Sequence, residues 1–469
     1  MKTKEQDWYL VKPRKVPCLD QDFRPAVLAN RKFRAEAEKS GQSVPLVIAV
    51  EADNGMISSY RTVVFSKADK CFESNFSYVE RLVKFLLWQR GGWRVVIGGP
   101  AEIGKHIQSL YAPKGARAFD ANLMAEVYSK PFTVEISSVD KMPADRQNPK
   151  PLGRHLEGCR IGFDLGASDR KVAAVVDGNP VYSEEVVWDP KSQKDPQYHF
   201  DQIMAALKTA AAHMPRVDAI GGSSAGIYVN NSVRIASLFR GVPKDLFEKK
   251  IRGLFHDLKK AWKNIPFEVI NDGEVTALAG SMSLNVNSIL GIAMGSSLAA
   301  GYVDREGNVD GWLDELAFAP VDYNPKAPVD EWSGDYGCGA MYFSQVAVNR
   351  LAAKAGIALD EKRTLAERLK DVQKLANEGD ERALKIFETI GVYFGYTVAH
   401  YADFYDLENM LVLGRVTSGR GGDIIIKRAE DVLKSEFPEV AGKVKLAVPD
   451  EASRRVGQAI AAASLPRMQ

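Results

Sequence analysis

The stretch 161-IGFDLGASDRKVAAVVDG-178 does most to restrict what this chain can become. Apolar runs flank Gly166-Ala167-Ser168-Asp169, so the segment reads as a strand, a tight turn and a second strand. Gly166 lets the backbone turn sharply or approach a ligand closely. Successive amides in such a turn form a concavity for anions, and Asp164 beside it is the kind of oxygen ligand that hydrated Mg2+ takes. Taken alone, the segment fits a solvated hairpin with Asp169, Arg170 and Lys171 facing water equally well. The rest of the chain has to decide.

Three further segments carry related signals. In 289-ILGIAMGSSLAAGYVDREGNV-309 an apolar strand runs into Gly295-Ser296-Ser297, whose amides and hydroxyls suit phosphate oxygens; a closely packed buried hairpin is the competing reading. The segment 268-EVINDGEVTALAG-280 is a strand that opens into a helix. A carboxylate at the carboxyl end of a parallel strand lies where open α/β sheets bind ligands, and Asp272 there can take the proton of an attacking hydroxyl. Capping of the helix by Asn271 or Asp272, with Glu274 assisting, is the plainer role and is compatible with catalysis. In 410-MLVLGRVTSGRGG-422 a buried strand ends at Gly414, and a nucleoside can lie against that glycine and the hydroxyls of Thr417 and Ser418; a plain strand-to-helix loop fits as well.

At 469 residues, with 45% hydrophobic and 26% charged side chains, the chain exceeds one ordinary core and divides into several globular parts. Residues 1–44 read as an irregular arm with a helix near Arg31 to Ser40. Residues 45–139 read as a small α/β region, with strands Pro45–Glu51, Tyr60–Ser66, Trp93–Ile97 and Phe132–Ser138. Its helices are 77-SYVERLVKFLLWQRGG-92, with Val79, Leu82, Val83 and Leu86 at helical spacing, and Ala101–Tyr111. Residues 140–158, with three prolines and no period, read as a linker. Beyond it, alternating β and α elements with two glycine-marked hairpins predict two α/β lobes, 159–272 and 273–469.

A net charge of +2 offers no electrostatic case for nucleic acid or an anionic membrane. The N-terminal region shows no helix-turn-helix pattern, so nucleic acid is not an expected partner. No apolar run approaches the ~20 residues that span a bilayer. Cys18, Cys71, Cys159 and Cys338 form no CxxC pair, and the first residues lack the apolar core of a secretory signal, so a cytoplasmic protein is expected.

The order of the four segments resembles that of the two-lobed actin-like ATPase (ribonuclease H-like) fold shared by sugar kinases and the heat-shock 70 chaperones. Within it the spacing is similar to the ROK family (repressors, open reading frames and sugar kinases). IGFDLGASDRKVAAVVDG resembles that family's first phosphate motif, VINDGEVTALAG its VxNDAxxxAxGE, and GIAMGSSLAAG its second phosphate motif. The run 376–416 is similar to its closing segment. The resemblance covers about two-thirds of the chain, from Gly158 onward.

It implies an ATP-dependent sugar kinase. Asp164 would face Mg2+–ATP through water. Gly166, Ser168, Gly295, Ser296 and Ser297 would hold the phosphates, with Gly414 and Thr417 by the adenosine. Asp272 would be the general base, and Asn271, Glu315, Asn230 and Asn231 would bind the sugar. Glu315 is the glutamate of the family's GExGH, whose histidine is replaced by Phe318. The family's CxCGxxGC zinc loop appears as 336-YGCGAMYF-343, with Cys338 and Gly339 kept. One thiolate cannot close a tetrahedral site, so no structural zinc is expected, and packing of Trp332, Tyr336 and Tyr342 is expected to hold the loop. Asp169, just after the first phosphate turn, needs Mg2+, Arg170 or Lys171 to offset its charge. The resemblance also implies a homo-oligomer, a dimer. It leaves open a non-catalytic sugar sensor and an actin-like ATPase coupled to a partner protein. The N-terminal region lies outside it and is expected to be an accessory or dimerisation region. Its stretch 48-IAVEADNGMISSYRTVVF-65 faintly echoes half of a lobe without the DxG.

Overall fold

The computed structural model describes residues 8–146, 152–448 and 451–468. Residues 147–151 of the expected linker and the first seven of the arm lie outside the described residues. The N-terminal part begins with the helix Ala26–Lys39 and a hairpin of β1 (Ser43–Glu51) and β2 (Ile57–Phe65) turning on Asp53–Gly55. The helix Ser74–Arg90, β3 (Arg94–Gly98), the helices Ala101–Leu110 and Ala118–Tyr128, and β4 (Thr133–Ser137) follow. The strands form a sheet in the order β2-β1-β3-β4, with β3 antiparallel to β1 and parallel to β4.

Beyond the linker the chain builds two sheets on one plan. The first uses β5 (Cys159–Leu165), β6 (Asp169–Val176), β7 (Asn179–Val187) and β8 (Ala219–Ser224). A small hairpin of β9 (Ile227–Val229) and β10 (Ser232–Ile235) precedes its last strand, β11 (Phe267–Asn271). The order is β11-β8-β5-β6-β7, with β6 antiparallel to β5 and with β8 and β11 parallel to it. The second uses β12 (Ile289–Met294), β13 (Leu298–Val303), β14 (Asn409–Leu413) and β15 (Lys445–Ala447), in the order β13-β12-β14-β15. There too the hairpin partner is antiparallel and the next two strands are parallel. The N-terminal sheet breaks this plan, because its first strand meets β3 antiparallel. It is therefore no third copy of the lobe.

Two features tie the parts together. One apolar core runs from the N-terminal part into the second lobe and takes in Phe33, Leu82 and Trp88 with Leu290, Tyr393 and Val412. The last helix, Glu451–Ala463, leaves the second lobe and packs on β5, β6 and β8 of the first. That contact is backbone on backbone. A Cβ on Gly162 would sit 1.7 Å from the Ala459 carbonyl oxygen, and one on Gly221 1.7 Å from that of Ala462. Glycine in these strands is the condition for the helix to dock. Among the described residues, no helix is long and apolar enough to cross a membrane.

The docking contact is testable. Gly221→Ala should lower stability by about 3 kcal/mol, at the upper end of the usual overpacking cost because the obstructing atom is main chain. Urea unfolding should show the loss as a lower midpoint, and an unchanged midpoint would mean that the helix packs elsewhere.

Candidate active site

Asp164 closes β5, the central strand of the first sheet, and is buried. Its Oδ1 accepts from Ser223 Oγ at 2.6 Å on the parallel neighbour β8, and Oδ2 lies 3.7 Å from Lys171 Nζ. Burial pushes its carboxyl up, while Ser223 and Lys171 pull it down. Lys171 also stands 3.5 Å from Asp169, so it, and not Arg170, offsets the additional carboxylate at the turn. Strand alternation explains the division: Asp169 and Lys171 share one face of β6, and Arg170 lies buried on the other.

Asn271 and Asp272 stand where β11 becomes the helix Asp272–Leu284. Asn271 is the cap. Its Oδ1 accepts from the Gly273 amide at 2.7 Å, its own amide donates to Glu274 Oε2 at 3.2 Å, and its Nδ2 donates to the Gly226 carbonyl at 2.7 Å. Asp272 is thereby left out of the cap; its carboxylate accepts from the Gly273 amide at 3.1 Å, and its own amide also favours the anion. Burial first, and then the charge of Asp164, push its carboxyl up to about 6. The helix start presses on the second hairpin, since a Cβ on Gly273 would lie 2.3 Å from the Ala300 carbonyl oxygen.

Glu315 reaches the same acidic neighbourhood. Burial and then Asp272 and Asp314 push it up to about 7. Two carboxyls not foreseen from the sequence join them. Glu274 is pushed up to about 8 by burial and Asp314, and buried Asp314, which accepts from Tyr405 Oη at 2.6 Å, to about 7 by burial. Among the described residues, the ion pair made by this group is that of Asp164 with Lys171. Carboxyls crowded out of water resist ionising together, so the group is disposed to accept protons and to bind hydroxyls.

The loop bearing Glu315 hangs from the N-terminal part. The amides of Asp314 and Glu315 donate to the carbonyls of Gln89 (2.8 Å) and Trp88 (3.0 Å), in the last turn of the helix Ser74–Arg90. Phe318 packs against Trp88 with tilted rings whose centres are 4.4 Å apart. That helix buries charged residues as well as apolar ones. Asp335 takes Lys84 Nζ at 2.8 Å, Arg117 at 3.0 Å and Arg81 at 3.1 Å. Glu80 binds Arg81 and Arg117, and Asp120 lies 3.4 Å from Lys84. Three cations thus meet three anions. Cys338 lies beside this network, its thiol pushed up to about 12 by burial. Tyr342 is buried and Tyr336 stacks beneath Arg81 at 4.7 Å, but Trp332 is 74% exposed and does not hold the loop. Among the described residues, no cluster of three or more His, Cys, Asp or Glu is arranged to hold a metal ion.

The remaining expected residues divide into two sets. Ser168, Ser296 and Ser297 are exposed at the two hairpin turns, with the Gly166 and Gly295 amides closing those turns. Gly414, at φ 103°, abuts Met294 beside the second turn, where a Cβ would fall 2.4 Å from its carbonyl oxygen. Thr417 is buried, and its hydroxyl donates to the Gly414 carbonyl at 3.0 Å. Asn230 and Asn231, both at positive φ, form the two-residue turn between β9 and β10. Asn231 is committed to β11, donating to the Phe267 carbonyl (2.9 Å) and accepting from the Val269 amide (2.7 Å). Asn230 reaches Asp53 of the N-terminal hairpin at 3.5 Å.

A model of the ROK family matches residues 160–463. A glucokinase of Halalkalibacterium halodurans is 25% identical over 203 residues, 37% of this chain, and the chain spans only 59% of that protein's length. Among solved structures, a ROK family glucokinase from Streptomyces griseus in complex with glucose and AMPPNP gives a TM-score of 0.50 at 20% identity, covering 66% of this chain and 100% of that one. A ROK hexokinase from Thermus thermophilus gives 0.50 at 18% identity, covering 65% and 97%. A ROK family transcriptional regulator, homolog of the E. coli MLC protein, gives 0.53 at 20% identity, covering 78% and 88%. Likeness at these identities establishes the fold, the two-lobed actin-like ATPase arrangement.

The buried ion network generates a prediction of its own. Lys84→Met should cost roughly 3–5 kcal/mol, because it strands buried carboxylates. Adding Asp120→Asn should recover part of that loss in urea unfolding. A loss below about 1 kcal/mol would show that the network is solvated.

Proposed function

The chain belongs to the ROK family, and on that premise we propose that it is an ATP-dependent sugar kinase with Asp272 as general base. The observation that carries this reading is the division of labour at the end of β11. Asn271 takes the cap, so Asp272 stands at the strand end with its carboxylate engaged by backbone amides but by no side chain among the described residues, raised to about 6 and within the electrostatic reach of both Asp164 and Glu315. A base of that strength is ionised at neutral pH and still accepts a proton as a hydroxyl attacks.

The other residues have supporting parts in this proposal. Glu315 binds sugar hydroxyls. Asn271, its amide and carbonyl oxygen both engaged with main chain, acts by fixing Asp272 in place. The exposed serines and turn glycines of the two hairpins suit the phosphates of ATP, and buried Asp164 suits a hydrated Mg2+. When bound, Mg2+ would offset charge on the transferring phosphoryl group. Closure of the lobes excludes water from the acidic cluster and strengthens its electrostatics. The four cysteines, which form no disulfide among the described residues, accord with a reducing cytoplasm, and a homodimer, checked by light scattering, completes the proposal.

One observation favours a second reading, a sugar sensor without transfer. Lys171 already stands between Asp164 and Asp169 and offsets part of their charge at the first hairpin, where a metal ion would otherwise be needed. ATP turnover across a hexose panel separates the possibilities. Sugar-dependent turnover supports the kinase, and sugar binding without turnover the sensor. Sugar-independent hydrolysis supports an ATPase coupled to a partner.

Asp272→Asn should reduce transfer by about 10²–10⁴-fold, the usual worth of general-base catalysis, with sugar binding kept in calorimetry. Retained transfer would remove Asp272 from the role of base. In the native chain kcat/KM should fall as pH drops through about 6, where Asp272 takes up its proton. A profile flat from pH 5 to 8 would contradict that assignment.

A further inference from the structure

Where the N-terminal sheet meets the second lobe, the structure holds a cavity of about 410 Å3. Arg90, the last residue of the helix Ser74–Arg90, lines it and is only 7% exposed. Among the described residues, its Nε and Nη1 have no hydrogen-bond partner. The guanidinium lies over Trp312, 5.3 Å from the ring centre, and the protein places no carboxylate against it at ion-pair distance among the described residues. Burial draws its pKa down to about 10. The carbonyl end of the helix offers some compensation but fills none of the open donor positions. A buried, unpaired guanidinium is costly, and it is a planar fork suited to a carboxylate or phosphate.

The walls add a second requirement. Arg146 stands exposed at the rim, and no side-chain ion pair occupies it among the described residues. Arg305, by contrast, is held by Asp406 at 2.7 Å. Asp310 is driven toward its neutral form by burial, and one of its oxygens is unpartnered. With Ser58 and Asp304 it supplies partners for hydroxyl groups, and the Trp312 ring supplies an apolar face. The volume falls in the range of small-molecule sites.

We propose that this cavity binds a monosaccharide carrying a phosphate or a carboxylate, with the anion on Arg90 and Arg146 and the hydroxyls on Asp310, Asp304 and Ser58. The site is distinct from Asp272 and does not depend on phosphoryl transfer. Nevertheless, Asp310 and Trp312 also line a smaller cavity that reaches Glu274 and Asn230.

Calorimetry on the full chain with glucose 6-phosphate, glucuronate, glucose and inorganic phosphate tests it, the first two identifying the source of the anion. At least one anionic sugar should bind more tightly than both glucose and phosphate. Arg90→Met should weaken that binding about tenfold or more, and Arg146→Ala, at an exposed position that spares folding, severalfold. Glu315→Ala, which removes the carboxylate proposed to bind sugar hydroxyls in the catalytic cleft and does not line this cavity, should leave it unchanged, which separates this site from product binding there. The proposal is overturned if neither anionic sugar binds at millimolar concentration, or if phosphate alone binds as well as either. It is equally overturned if Arg146→Ala leaves the affinity intact. Should Arg90→Met fail to fold, the Arg146→Ala result decides.

Discussion

The structure depends on the burial of one charged helix. Ser74–Arg90 lies between the N-terminal sheet and the second lobe with Lys84 fully buried and Arg81 almost so. Placing ammonium and guanidinium groups there is unfavourable unless carboxylates meet them, and with Arg117 from the neighbouring loop the three cations meet Asp335, Glu80 and Asp120. The loop that carries Asp335 and Cys338 is thereby fastened to the N-terminal part by ions. Cys338 marks the place where the family resemblance implies a zinc loop, and the cationic partner that the structure puts next to it is Lys84.

The same helix reaches the acidic site. Its last carbonyls receive the amides of Asp314 and Glu315, so the orientation of Glu315 is set by residues about 230 positions earlier in the chain. Phe318, in place of the family's histidine, presses on Trp88 of that helix. The N-terminal residues therefore act as the scaffold of one wall of the acidic site, and the shared apolar core makes them inseparable from the second lobe. The crowding of carboxyls that follows carries a cost. Each is held above its ordinary range by burial, and that cost falls when a ligand brings hydroxyls to share.

What the sequence made legible was local. Both hairpins, the strand before Asn271 and the glycine after β14 announce themselves through turn chemistry and apolar runs, which depend on near neighbours. The helix Ser74–Arg90 was legible as a helix and misleading as a surface: its Val79, Leu82, Val83 and Leu86 stripe suggests one buried face, whereas nearly the whole circumference is buried. Lys84 and Arg81 look solvated because their partner, Asp335, lies more than 250 residues away. The return of the last helix to the first lobe left a fainter mark. Gly162 and Gly221 sit in strands where a side chain would be expected, and each is there because a backbone passes within contact distance.

The value near 6 at Asp272 follows from opposing effects that the fold sets independently. Burial and the neighbouring Asp164 favour the neutral acid, while the first turn of a helix, with amides pointing outward, favours the anion. Had aspartate taken the cap position, its oxygen would be fixed on the helix amides and withheld from a substrate hydroxyl. With asparagine there, the cap is satisfied by a neutral side chain whose other arm grips Gly226, and the charge stands one residue further on. The pairing Asn-Asp at the end of a parallel strand thus serves two ends with adjacent residues, one of folding and, in the proposed kinase, one of acid–base chemistry. The order is not interchangeable: reversing it would place the charge in the cap and the amide at the position proposed for the base.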